Sequence, residues 1–373
     1  MPGRKSLHFD YVLAGVIIIL LVLGILILSS VSATLSQERF GTTFYFLKHQ
    51  LLFGLVPGII LAILFLKINL DVLKKWSPLL LLINLTILGT VFLPKIGAKA
   101  LGAARWVSVG PVSFQPSEFL KLTFILYLAT WLSSRAKKTI SEKKSEGFAE
   151  TLIAFLIIIG IISLFLIFQP DISTLAIMVL VAALMYFICN TPWWHSVLIF
   201  LLGSGGLLAL IKIAPYRLNR LLVFLNPLLD PMGKGYQMKQ ALITVGSGGI
   251  SGLGLGMSLQ KFGFLPQSMS DTIFAIFAEE TGFIGGLFLV FLFLIFFWRG
   301  FKTAKSGKDN FSQLTALGIT SWITLQAFIN IGAMIGILPL SGIPLPFISY
   351  GGSHIIVELI GIGILLNISK NQS

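Results

Sequence analysis

Asp271 opens an apolar run that also carries Glu279 and Glu280. At helical rise the two glutamates lie about two turns deeper than the aspartate, inside hydrocarbon if the run crosses a membrane. Charge at that depth is costly without a partner or a wet cavity. One carboxylate at a membrane surface with two more beneath it therefore reads as a site, with helix capping by Ser270 or Asp271 as the structural alternative. Upstream, Arg217 and Arg220 are spaced i, i+3, which puts both on one helical face and suits them to grip a pyrophosphate. Arginines at a helix end also snorkel to headgroups with no ligand at all. Between these features lie Gly246, Gly248, Gly249, Gly252, Gly254 and Gly256, which let backbone approach a ligand closely. A re-entrant turn that binds nothing would be as rich in glycine.

Two more segments hold polar groups that topology does not explain. Arg105 and Trp106 precede Gln115-Pro116-Ser117-Glu118 and Lys121. Trp106 suits an interfacial anchor, and Glu118 with Lys121 at i, i+3 suits a neutralised pair as well as a site. Leu338 to Ser353 contains Pro339, Pro344, Pro346, Gly342, Gly351 and Gly352. That density forbids regular helix, so the segment, with Ser349 near its end, reads as broken backbone lining a cavity. None of the four histidines looks catalytic, and His354 follows the glycine pair with no acidic neighbour in sequence. No nucleotide-binding loop, zinc spacing or nucleophile elbow occurs.

Composition decides what positions these side chains. Of 373 residues, 56% are hydrophobic and 11% charged, and mean hydropathy is +0.94. A water-soluble domain of this length needs far more charge on its surface, so the solvent is lipid. Apolar runs mark ten spans, near 11–31, 48–66, 76–93, 117–134, 151–168, 172–189, 194–213, 272–298, 313–338 and 350–368. The first reads as a span rather than a cleavable signal, because no small-residue cleavage site follows it. The expected fold is an all-α integral membrane protein, one polytopic domain over 1–373. Arg4, Lys5, Lys67, Lys74, Lys75, Arg135, Lys143, Arg299, Lys302 and Lys370 fall at the termini or in alternate loops. By the positive-inside rule those segments and both termini are cytoplasmic.

Three segments are then outer: 95–118, 338–349 and the large one between the seventh and eighth spans, 212–270. The net charge of +13 is mostly topogenic, which makes nucleic acid a poor partner. Yet Lys95, Lys99, Arg105, Arg217, Arg220, Lys234, Lys239 and Lys261 all fall outside, where they suggest an anionic partner, with the alternative that long outer loops translocate regardless of charge. The single cysteine, Cys189, excludes an internal disulfide and argues against a cysteine-based metal site.

The stretches GAARWVSVGPVSFQPSE, YRLNRLLVFLNPLLDP, GKGYQMKQALITVGSGG, LPQSMSDTIFAIFAEETGFIG and LPLSGIPLPFISYGGS resemble the signature blocks of the SEDS family, which includes FtsW, RodA and SpoVE. They stand in the family's order across nearly the whole chain. YQMKQALITVGSGG, GLGLGMSLQKFGFLP and FGTTFYFLKHQ resemble the FtsW branch more than the RodA branch. Ser173 replaces the family's usual glycine, Gln267, Ser268 and Met269 replace acidic and histidine residues, and Ser341 replaces a lysine frequent in FtsW. No role is carried to those side chains.

The resemblance implies an inverting peptidoglycan glycosyltransferase that polymerises lipid II, an undecaprenyl-pyrophosphate-linked disaccharide peptide. It implies work on the outer face of the cytoplasmic membrane, at the division septum for an FtsW-like member, with no nucleotide cofactor. Inverting displacement needs a base for the attacking sugar hydroxyl and cations for the departing pyrophosphate. Asp271 matches the family's proposed base. Arg105, Trp106, Glu118, Lys121, Arg217, Arg220, Lys239, Ser349, Gly351 and Gly352 are the implied substrate-binding positions. Mg2+ or Mn2+, with Asp271 as a ligand, would add to the cations. A class B penicillin-binding protein transpeptidase and the divisome regulators FtsQ, FtsL and FtsB are the implied partners. The rivals are a RodA-like elongation polymerase, a lipid II flippase and a scaffold without chemistry. A flippase needs a polar path but no base at the outer surface, so Asp271 favours the enzyme, while Glu279, Glu280 and Glu358 fit either reading. A scaffold leaves the outward cations unexplained.

Overall fold

The structure, a computed structural model, describes residues 9–93, 97–100, 103–109, 112–141, 147–189, 191–213, 215–226, 229–230 and 232–370. Inside lipid every backbone N–H and C=O must be satisfied within its own segment, so the apolar runs become long helices. The first, α1 (Tyr11–Phe40), starts where Asp10 accepts a hydrogen bond from the Leu13 N–H. The next span joins α2 (Tyr45–Gln50), one π-helical turn (Leu51–Leu55) and α3 (Val56–Lys67). Then follow α4 (Leu70–Thr90), α5 (Pro116–Ser141), α6 (Gly147–Phe168), α7 (Ile172–Ile188) and α8 (Trp193–Ile213). After α9 (Pro215–Leu225) and α10 (Lys234–Ser247) come α11 (Ile273–Lys305), α12 (Asn310–Met334) and α13 (Gly352–Lys370). Helices thus occupy every expected span position, and among the described residues seven are long and apolar enough to cross a membrane by length and composition.

The bundle is centred on α12 and α13, whose apolar windows are 83% buried, against 17% for the span 45–67 that faces lipid. Small residues let α3 lie tightly along α13: Gly58 faces Leu359, and a Cβ on Gly363 would collide with the Ala62 carbonyl. One end of the bundle gathers both termini. Arg299 pairs with Asp10 at 2.6 Å, the Asp10 N–H donates to the Ser369 hydroxyl at 3.1 Å, and Lys74 stands 3.9 Å from Asp309. This is the end that the positive-inside rule assigns to the cytoplasm.

Two outer segments differ from expectation. Residues in 95–118 form a three-stranded antiparallel sheet, β1 (Gly97–Ala100), β2 (Ala103–Val109) and β3 (Val112–Phe114), so the fold is not purely helical. β2 and β3 carry the β-branched valines that suit a half-buried strand, and Val107 is buried while Trp106 and Ser108 on either side are partly exposed. Segment 212–270 is not one loop, because α9 and α10 fold within it. The remaining glycine run lies against a break in α11 at Gly282, whose φ of 70° and ψ of −170° few other residues adopt. Where α11 unwinds, Leu253 and Gly254 N–H groups donate to the Glu279 and Glu280 carbonyls at 3.0 Å. In return Phe283 N–H donates to the Gly249 carbonyl at 2.9 Å.

Candidate functional site

α11 begins at Ile273 with Thr272 at its N-cap and no side-chain capping bond, so neither Ser270 nor Asp271 holds the cap. Asp271 is half-buried at the end of the bundle opposite the termini. Its carboxylate accepts from the Ser270 hydroxyl at 2.9 Å. Its main-chain carbonyl accepts from Asn330 Nδ2 at 2.7 Å, and the same amide nitrogen donates to the Ile343 carbonyl at 2.7 Å. One α12 side chain therefore ties the aspartate to the broken segment before α13. Ser349 fixes that segment from the other side, donating to the Ser270 carbonyl at 2.6 Å and accepting from the Leu345 N–H at 2.7 Å. Gly342, left-handed at φ 67°, passes beside the carboxylate: a Cβ there would stand 3.7 Å from Asp271 Oδ2. A carboxylate held in this way can take a proton from a hydroxyl presented at the surface.

The other implied residues divide into groups. Gly351 donates its N–H to Gln50 Oε1 at 3.1 Å, and a Cβ on Gly352 would stand 3.4 Å from the Phe53 carbonyl, so the glycine pair seats α13 against the second span. The Ser353 hydroxyl accepts from the Gln115 N–H at 3.1 Å, which brings the first outer segment to the same place. Arg105 is anchored: its Nε donates to the Gln169 carbonyl at 3.2 Å and its Nη2 to the Pro170 carbonyl. Those carbonyls follow the end of α6, where backbone acceptors lack helical partners. Trp106 beside it is half-buried. Arg217 and Arg220 do share α9, with Arg220 half-buried and the Arg217 side chain outside the described ones, while Lys239 is exposed on α10.

Beneath the broken segment lies a buried polar cluster. Lys121 Nζ stands 2.8 Å from Glu118, donates to Gln326 Oε1 at 3.0 Å and sits 5.2 Å from the centre of the Trp322 ring. The neutralised pair is real and is buried rather than on the surface. Sequence reasoning passed over His354, whose Nδ1 is 2.9 Å from Glu118 and whose Nε2 is 2.9 Å from Glu358. Its i, i+4 spacing to Glu358 was the available signal; Glu118 arrives from another helix. Glu279 and Glu280 have partners instead of a wet cavity. Ser247 donates to Glu279 at 3.3 Å, and Ser258 donates to it as well. Lys261 stands 3.4 Å from Glu280 and is itself buried. That corrects the place of Lys261 among the outer cations, because its charge is matched inside the bundle.

Known proteins resemble this chain over nearly its full length. It is 39% identical to stage V sporulation protein E of Bacillus subtilis (strain 168), covering 98% of each. It is 36% identical to the probable peptidoglycan glycosyltransferase FtsW of Coxiella burnetii, over 94% of this chain and 93% of that one. It superposes with a TM-score of 0.76 and 25% identity, over 98% and 99% of the two chains, on a chain from a peptidoglycan synthase complex whose structure concerns coordination of polymerization and crosslinking. With residues 11–373 matching the model of the FtsW/RodA/SpoVE cell cycle proteins, the chain belongs to that family, the SEDS family.

Proposed function

We propose that this protein is a lipid II-dependent peptidoglycan glycosyltransferase in which Asp271 is the base of an inverting displacement at the outer face of the cytoplasmic membrane. The observation that carries this reading is the setting of Asp271: a half-buried carboxylate, fixed through its backbone by Asn330 while Thr272 occupies the cap. The activity is supported by family membership and by relatives named as probable peptidoglycan glycosyltransferases. The acceptor sugar's hydroxyl gives its proton to Asp271 as its oxygen forms a bond to the anomeric carbon. On the opposite face the bond to pyrophosphate breaks, and its electron pair leaves with the lipid carrier. Arg217 and Arg220, which share α9, are the cations assigned to that growing charge.

Among the described residues no three His, Cys, Asp or Glu side chains gather into a metal cluster. Asp271 is the residue that would hold a divalent ion here, and such an ion, Mg2+ or Mn2+, would help to neutralise the departing pyrophosphate. A class B penicillin-binding protein transpeptidase is the proposed partner, supported by the neighbour's place in a synthase complex that couples polymerization to crosslinking. FtsQ, FtsL, FtsB and a septal location rest on the FtsW-like motifs, and the likeness to a sporulation protein favours a second reading in which the wall made is that of a spore. The deciding experiment supplies purified protein with lipid II, with and without the transpeptidase, and looks for glycan polymer. Lipid II carried across vesicles without polymer would favour a flippase.

A further inference from the structure

Aromatic rings crowd the end of the bundle that holds Asp271. Phe40 ends α1 and stacks on Tyr45 of α2, nearly parallel, with ring centres 3.6 Å apart. Phe46 meets Phe40 edge-on at 5.5 Å and meets Tyr350 in the same way at the same distance. Tyr45 stacks on His49 at 6.4 Å, and His49 Nδ1 is 3.0 Å from the Tyr350 hydroxyl in a hydrogen bond. Phe40 and Tyr45 are 45% and 41% exposed, whereas Phe46, His49 and Tyr350 are half-buried behind them. The rings are continuous with the setting of the base. Consecutive residues before α13 bond to consecutive residues before Asp271: the Ser349 hydroxyl donates to the Ser270 carbonyl at 2.6 Å, and the Tyr350 N–H to the Met269 carbonyl at 2.8 Å. They are also level with it. The Ser30 hydroxyl donates to Glu280 Oε1 at 2.7 Å and so sets α1 beside α11. From that bond Phe40 lies ten residues along one segment and Asp271 nine along the other, about 14 Å in each case at helical rise.

Exposed aromatic faces at a membrane surface commonly meet lipid headgroups. A sugar ring is the other surface that fits them, because its C–H groups form an apolar face that lies flat on an aromatic ring while its hydroxyls stay in water. The surroundings of these rings favour the sugar. Gln37, Glu38, Arg39, Thr42, Thr43 and Lys48 are all exposed around Phe40 and Tyr45, so the rings rise from a polar, wet surface. The path from Tyr350 through Phe46 to Phe40 and Tyr45 leads away from Asp271, in two steps of 5.5 Å and one of 3.6 Å, toward where sugars beyond the reacting one must lie. We propose that Phe40, Tyr45 and Tyr350, supported by Phe46 and His49, form a platform on which saccharide rings of the growing glycan strand stack. A strand held there after one displacement stays beside Asp271 for the next, so the platform governs how long strands grow. This deepens the glycosyltransferase reading and rests on it.

The test uses full-length protein in lipid nanodiscs and, as probe, a lipid-free tetrasaccharide cut from uncrosslinked glycan, followed by saturation-transfer NMR. Irradiation of the protein's aromatic protons should transfer magnetisation to the sugar-ring protons of the bound probe. Phe40→Leu and Tyr45→Leu keep the apolar bulk that packing or lipid anchoring needs but lose the flat face. Each should weaken tetrasaccharide binding about tenfold and shift the polymer made from lipid II with the transpeptidase to shorter strands. Tyr45→Phe keeps the face and should match the wild type in both measurements. Absence of transfer in the wild type overturns the proposal, and so do leucine variants that bind the probe and extend strands as the wild type does, which would return the rings to the lipid headgroups. Loss of transpeptidase binding in the leucine variants with tetrasaccharide binding intact also overturns it and gives the surface to the protein partner. A wild type that makes no polymer from lipid II defeats the glycosyltransferase reading itself, whereas strands of unchanged length from the leucine variants defeat only the platform.

Discussion

Asp271 and Arg105 show how similar signals in a sequence lead to different work. Both are charged residues at the outer end of the bundle, yet two carbonyls engage the guanidinium of Arg105, while Asp271 is fixed through its main chain. Asp271→Asn should therefore express, insert and melt like the wild type, because Thr272 keeps the cap and the backbone bond to Asn330 remains. Its polymerisation of lipid II should fall by about 10² to 10⁴, the usual worth of a general base. Near-normal polymer from that variant would remove Asp271 from the chemistry. The arginines separate by a different measurement. Arg105→Lys loses the fork that bonds two carbonyls at once, so it should lower the melting temperature, whereas Arg220→Lys should weaken lipid II binding by loss of the planar fork. The reverse pattern would exchange their roles. At this scale the Glu118–Lys121 pair is legible from its i, i+3 spacing, since one helix supplies both partners. His354 is not legible in the same way, because half of its setting comes from α5, more than two hundred residues earlier in the chain.

The glycines between α10 and α11 explain themselves only once both elements are in view. From sequence they suit close approach of a ligand, but the atoms they approach belong to α11. A Cβ on Gly248 would collide with the Ala278 carbonyl, one on Gly252 with the Glu280 carbonyl and one on Gly282 with the Gly252 nitrogen. The run supplies donors and acceptors to a helix that has lost its own at the break, which is how unwound backbone is tolerated at membrane depth. Gly252→Ala must fit a side chain at φ 81° against that carbonyl, and a loss of about 3 kcal/mol or more is expected. Gly160→Ala, on α6 with nothing within 4 Å, is the control and should not destabilise. Thermal unfolding in detergent compares the two; equal melting temperatures would mean that the clasp contributes nothing. The outer sheet shows the same limit of reading one strand of sequence. The β2 pairing of Trp106 with Ala98 and of Val107 with Phe114 joins runs too short to declare themselves alone.

Across the whole molecule the span pattern is legible because lipid leaves the backbone few choices, whereas boundaries follow local caps. α1 continues past the expected end near residue 31 to Phe40, carrying Gln37, Glu38 and Arg39 beyond the apolar run, and stops where Gly41 turns left-handed at φ 67°. The side on which each end lies rests on charge, and the bonds now make that assignment a single decision for the entire bundle. Asp10, Ser369, Arg299, Lys74 and Asp309 are joined at one end, and Asp271, Ser349, Gln115 and Ser353 at the other. If one marker is placed, all the rest follow. The sole native cysteine can be removed as Cys189→Ser, after which Met232→Cys and Ser306→Cys each offer one thiol, Met232 being 92% exposed near α10 and Ser306 exposed just after α11. A membrane-impermeant maleimide should label Met232→Cys on intact cells and Ser306→Cys only after permeabilisation. Because a lipid-linked sugar polymer destined for the wall must be built outside, the opposite result would put Asp271 on the face where that product is never needed, and the assignment of Asp271 as its base would fall with it.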